Sequence, residues 1–129
     1  MDKATLNWLK IAERDLKAAK ILLKEGEHSS VIFHLHASLE KILKGIVTSL
    51  GVEPPKIHNL KRLAVECCKI KLEKHREEVL VKLDKSFIDS RYPEDFDEVE
   101  KTYDLRYCLD LLKEVEVTFL WLKDLLMKN

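Results

Sequence analysis

Glycine, proline and cysteine are scarce in this 129-residue chain, with three of each. So few chain breakers exclude a collagen-like or low-complexity polymer and leave long stretches free to be helical. Cys67, Cys68 and Cys108 match no zinc-ligand spacing, and no metal site is expected. Sequence neighbours such as Cys67 and Cys68 make a poor disulfide. All three read as small apolar residues in a reducing, cytoplasmic setting. No glycine-rich phosphate loop is present, which excludes P-loop and dinucleotide-fold sites, and no cofactor is expected. The longest apolar run, Val117-Thr118-Phe119-Leu120-Trp121-Leu122, is far too short to span a bilayer. Met1 leads straight into a charged amphipathic pattern, so no signal peptide or membrane association is expected. Charge of one sign is missing too: 23 basic and 23 acidic side chains cancel. A whole-surface nucleic-acid binder would be basic, so any such contact must be a local patch.

What remains is hydrophobic and charged. Hydrophobic residues make up 46% and charged residues 36%, the latter well above the usual share of about 25%. Lys and Glu lead that excess, a composition that fits ion-paired helix surfaces and is shared with thermophile proteins. The length fits one domain with one core, residues 1–129.

The helical rhythm is clear. Leu9, Ala12, Leu16, Ala19 and Leu23 alternate spacings of three and four, which predicts a helix over 2–25 with Gly26 as its left-handed stop. Ile32, Leu35, Leu39, Ile42 and Ile46 predict a second over 30–50, capped by Ser29 or Ser30 and stopped by Gly51. Gly45 inside it costs about 1 kcal/mol against Ala and points to a close helix approach, such as a dimer seam. After a stiff Pro54-Pro55 connector, a short helix is expected over 60–71 and a fourth over 74–91, with Val79, Leu83 and Phe87 inward. Pro93 keeps Tyr92 extended. An acidic loop over 94–97 precedes the longest helix, from Glu98 or Thr102 to Met127. Its first apolar row is Leu105, Cys108, Leu112, Val115, Phe119, Leu122 and Leu126. A second row of Leu111, Leu120, Trp121 and Leu125 exceeds what one seam needs, which fits a homodimer interface. No strand alternation of useful length occurs. The fold class is all-α: an antiparallel up-and-down bundle of four long helices plus one short helix.

Chemistry concentrates in two breaks of this pattern, Pro54-Pro55-Lys56-Ile57-His58-Asn59-Leu60 and Ser90-Arg91-Tyr92-Pro93. His58 stands at a helix start, where free amides favour anions; it can equally tether the connector by a hydrogen bond. Arg91 can fork onto a phosphate while Tyr92 stacks on a base, or it can simply pair with the last carbonyls of its helix. His36 and Glu40 share a helix face, and Glu40 and Lys44 form an ion pair one turn apart. Lys56, with Lys61 and Arg62, makes a basic cluster around His58. Cys67 and Cys68 near His75 have no convincing nucleophile setting, and no residue is assigned a catalytic role.

Four segments in order resemble the HEPN family (higher eukaryotes and prokaryotes nucleotide-binding). They are Trp8-Leu9-Lys10-Ile11-Ala12-Glu13-Arg14-Asp15-Leu16-Lys17-Ala18-Ala19, Phe33-His34-Leu35-His36-Ala37-Ser38-Leu39-Glu40-Lys41-Ile42-Leu43-Lys44, Lys56-Ile57-His58-Asn59-Leu60 and Ser90-Arg91-Tyr92-Pro93. The resemblance implies a helical bundle that dimerises and is often paired with a minimal nucleotidyltransferase, toxin–antitoxin fashion. Some members are ribonucleases that use an Arg followed four to six residues later by a His. Here Tyr92, Pro93, Glu94, Asp95, Phe96 and Asp97 follow Arg91, and no other Arg has a His at that spacing. The expectation is therefore a non-catalytic nucleotide- or RNA-binding homodimer. Its proposed contacts are His58, Arg91, Tyr92 and Lys56, with Lys41 and Lys44 further out. The alternatives are a ribonuclease with an atypical Arg91/Tyr92/His58 site, or a purely structural adaptor dimer.

Overall fold

The computed structural model describes residues 1–128. Its order is α1 (Lys3–Lys24), α2 (His28–Ser49), α3 (Leu60–Arg62) continued by a π turn (Leu63–Cys67), α4 (Lys74–Arg91), α5 (Phe96–Thr102) and α6 (Leu105–Lys128). There is no strand among the described residues. The all-helical architecture matches the pattern of spacings. α2 is the central element: it packs most extensively on α1 and also meets α3, α4 and α6. Ile32, Leu35, Leu39, Ile42 and Leu43 are fully buried in it. A helix apolar on most of its circumference has to be surrounded in this way.

Gly26 and Gly51 both hold left-handed backbone, φ 75° and 79°, and end α1 and α2 as expected. The start of α2 differs from expectation. Ser29 and Ser30 lie inside the helix, and Glu27 precedes it without a side-chain cap. Gly45 also has another role. A Cβ there would lie 3.1 Å from Trp8 Cβ, so the glycine brings α1 against α2 within one chain and is not free for a dimer seam.

The third helix is much shorter than its apolar pattern. Leu63 and Cys68 lie about 140° apart on a regular α-helix, too far to face α2 together. The π turn, closed by Cys68 N donating to Leu63 O at 2.8 Å, brings both inward. Cys68 then donates its thiol to Leu43 O at 3.2 Å. Lys69, at φ 58°, ends the segment. The long C-terminal helix is likewise divided. Asp95 caps α5 by accepting from Glu98 N at 3.2 Å, so the expected acidic loop is partly helical. Asp104 restarts the chain as α6 by accepting from Tyr107 N at 2.9 Å. The division lets Tyr103 turn inward, nearly buried. Of the second apolar row on α6, Leu111 is in the core, Trp121 and Leu125 are half-buried and Leu120 is exposed. All three cysteines are free.

Gly45→Val should destabilise the fold by about 1–3 kcal/mol through overpacking against Trp8. Urea unfolding should show a lower midpoint with an unchanged slope.

Candidate functional site

The two polar breaks meet beside α2. A cavity of about 280 Å³ opens between α2, the proline connector and the end of α4. Its wall carries Phe33, His36, Glu40 and Lys41 from α2, His58 from the connector, and Phe87, Arg91 and Tyr92 from α4 and its end.

The floor is a buried polar network. His36, 2% exposed, places Nε2 3.0 Å from Asp84 Oδ1. Asp84 also accepts from Leu60 N, 3.0 Å to Oδ1 and 3.1 Å to Oδ2, and from Lys61 N at 3.4 Å. Asn59 Oδ1 takes Arg62 N at 2.8 Å. The amides at the start of α3, which sequence marked as an anion site, are thus already satisfied by a carboxylate and an amide oxygen.

Glu40 is the second node. Its carboxylate is 2.9 Å from Lys44 Nζ, 3.6 Å from Lys41 Nζ and 3.1 Å from His58 Nδ1. Burial works to raise its pKa, but the hydrogen bonds from Lys44 and His58 and the charges of Lys44 and Lys41 outweigh that, and the net shift is downward. A carboxylate already shared by three basic groups does not repel an incoming anion as a free one would.

Arg91 is set differently. Its guanidinium lies 5.2 Å from the Phe33 ring and 5.5 Å from the Phe87 ring. The Phe87 ring in turn stacks on His36 at 4.0 Å. Among the described residues Arg91 has no ion-pair or hydrogen-bond partner, so its planar fork of donors is available while its face rests on aromatic rings.

Four of the six residues singled out from sequence therefore line one cavity: His58, Arg91, Tyr92 and Lys41. Lys44 does not reach it, being 6% exposed and held on Glu40. Lys56 is exposed on the connector, outside the lining. His58, with 70% of its side chain exposed, both tethers the connector to Glu40 and faces solvent. Asp84 was not singled out as a site residue. In sequence it is one acidic residue in an amphipathic helix, and only its placement inside α4 against α2 marks it. No group of three or more His, Cys, Asp or Glu side chains is arranged to hold a metal among the described residues. No helix is long and apolar enough to cross a membrane.

A family model described as the HEPN domain matches residues 5–125. Two solved structures share the fold. The crystal structure of TT1696 from Thermus thermophilus superposes with a TM-score of 0.81 at 20% identity, over 95% of this chain and 98% of that one. That of ST0689, described as an archaeal HEPN homologue, gives 0.76 at 22% identity, over 98% and 99%. No curated protein matches the sequence.

Glu40 carries a pH signature. Its folded pKa lies below the ordinary value of 4.5, so its contribution is complete above that value and lost as pH falls through the folded pKa. Glu40→Gln should remove about 3 kcal/mol at neutral pH by leaving Lys44 buried without its counter-charge. It should also flatten the acid limb of a stability–pH profile measured by urea unfolding below pH 4.5.

Proposed function

We propose that this chain, which belongs to the HEPN domain family, binds a nucleotide or the single-stranded end of an RNA without cleaving it, as a homodimer acting with a nucleotidyltransferase partner. The observation that carries the reading is Arg91: an unpaired guanidinium on two aromatic faces, at the mouth of a cavity that also holds His58, Lys41 and Tyr92. Its fork matches two oxygens of a phosphate. Tyr92, 69% exposed, offers a face for a base. The cavity, about 280 Å³, is just below the range of about 300–1,000 Å³ for small-molecule sites, which suits one nucleotide and not a duplex.

Exposed Leu109, Val117 and Leu120 on α6 support the homodimer. The non-catalytic reading rests on the residues after Arg91, which include no His through Asp97. One observation favours a ribonuclease as a second reading. Buried Glu40 accepts from His58 Nδ1 and, among the described residues, nothing bonds Nε2, as when a carboxylate orients a general base.

Thermal unfolding against a panel of mononucleotides and short single-stranded RNAs tests the first reading. A ligand at about 100 times its Kd should stabilise the fold by roughly 2.7 kcal/mol, a rise of several degrees in Tm. Arg91→Ala should abolish the rise, and His58→Ala should reduce it. Absence of any shift in the wild type would remove the proposal. The same RNAs, incubated at length, should stay intact; cleavage lost in His58→Ala would establish the second reading instead.

A further inference from the structure

A second concavity, about 360 Å³, lies toward the C-terminal end of α2, away from the nucleotide cavity. Its floor is aliphatic and aromatic: Ile46, Leu50, Ile70, Trp121 and Leu125. One side is formed by residues 69–71, part of a stretch, 69–73, that belongs to no helix. That side is basic. Lys69 and Lys71 line the groove and Lys74 follows; all three are exposed, and none has an ion-pair partner among the described residues. The nearby Glu73 is 3.7 Å from Arg76 and is neutralised by it. In a chain of zero net charge, this unpaired lysine cluster is a local departure from balance.

Three further features mark the segment. It follows a π turn, a form found disproportionately at functional positions. Lys69 adopts the left-handed region, φ 58°, which a lysine rarely occupies. Among the described residues, the N–H groups of Lys71 and Leu72 have no protein acceptor, while Ile70 N is spent on Ala64 O at 2.9 Å. An extended ligand lying along residues 69–71 would meet the Lys71 donor with a carbonyl of its own.

We infer that this groove docks a short acidic peptide segment of a partner protein, with one or two large apolar side chains seated over Ile46 and Trp121 and carboxylates against Lys69 and Lys71. Charge complementarity selects that occupant. Single-stranded nucleic acid is disfavoured because the floor holds a single aromatic ring, and Arg76 Cζ, 4.0 Å from the centre of the Trp121 ring, covers one of its two faces, whereas strand binding stacks successive bases on several rings. A membrane surface is disfavoured because, of the floor's apolar side chains, only Leu50 is exposed, too little for an amphipathic face. The site is separate from the nucleotide cavity and does not depend on it.

The test is selection of random peptides displayed on phage against the wild-type chain, with subtraction on Lys69→Glu/Lys71→Glu. Both substitutions are at exposed positions, and circular dichroism would verify that the variant is folded. Enriched peptides should combine Asp or Glu with Leu, Phe or Trp. Measured by fluorescence anisotropy, they should bind about tenfold more weakly to the double variant, weaken with added salt, and bind Arg91→Ala as they bind wild type. No enrichment, enrichment of peptides without acidic residues, or equal affinity for the double variant would each overturn the inference. So would binding of phosphatidylglycerol vesicles or single-stranded RNA that the same double variant abolishes.

Discussion

Asp84 has two tasks that the fold cannot separate. It receives the imidazole of His36 from α2, and it receives the first amides of α3 at the end of the proline connector. One carboxylate inside α4 thereby joins three elements distant in sequence. A buried carboxylate is costly unless its oxygens are filled, and here both accept hydrogen bonds. The connector cannot drift without orphaning the charge, so the position of His58 at the cavity mouth follows from a contact made beneath it. Glu40 repeats the device one layer higher. It holds His58 from outside and Lys44 from inside, and its charge is never presented alone.

Such a foundation explains why a mostly solvated His and an unpaired Arg can be held close together on a helical protein. Arg91 is fixed through its aromatic face, leaving its donors unused, and Phe87 beneath it is fixed by stacking on His36. His36 is fixed by Asp84. The chain of supports runs from a buried hydrogen bond through a ring stack to a surface cation. Loss of the buried end would loosen the exposed end without touching it.

How much of this was legible in the sequence depends on the range of the interaction that decides each feature. The long helices were legible because three-four spacing is a local property, and the bounds of α4 agree with it. Gly26 and Gly51 were legible because a left-handed stop favours a missing Cβ. The π turn was not: Leu63 and Cys68 read as ordinary helix positions until α2 demands that both face it. The break before α6 was hidden for the same reason, since Tyr103 turns inward to reach Asp89 on another helix, 2.9 Å from hydroxyl to carboxylate. At the site, the exposed lining residues were singled out, His36 and Glu40 beneath them were read only as sharing a helix face, and Asp84 was not read at all. His58, Arg91 and Tyr92 interrupt a pattern, and an interruption is visible. Asp84 and Glu40 sit at regular places in amphipathic helices, and nothing in one dimension distinguishes a buried carboxylate from a solvated one. Lys44 is half legible: its spacing four residues after Glu40 gives the ion pair, but its burial, which removes it as an outer ligand contact, is set by the elements packed around α2.

Zero net charge, taken alone, argues against a polyanion partner, yet the fold sorts charges that cancel only in the sum. α5 and its approach collect Glu94, Asp95, Asp97 and Glu98, and this acidic edge shares Tyr92 with the rim of the Arg91 cavity. A continuous phosphodiester strand crossing Tyr92 would run onto those carboxylates. A single nucleotide, or a strand ending in the cavity, would not. The unpaired lysines at residues 69–74 lie beyond the π turn, on the far side of the segment that Asp84 anchors. The neutrality of the whole is a sum over small fields, each limited in reach to about one Debye length of 8–10 Å, so that none draws polyanions to the entire surface.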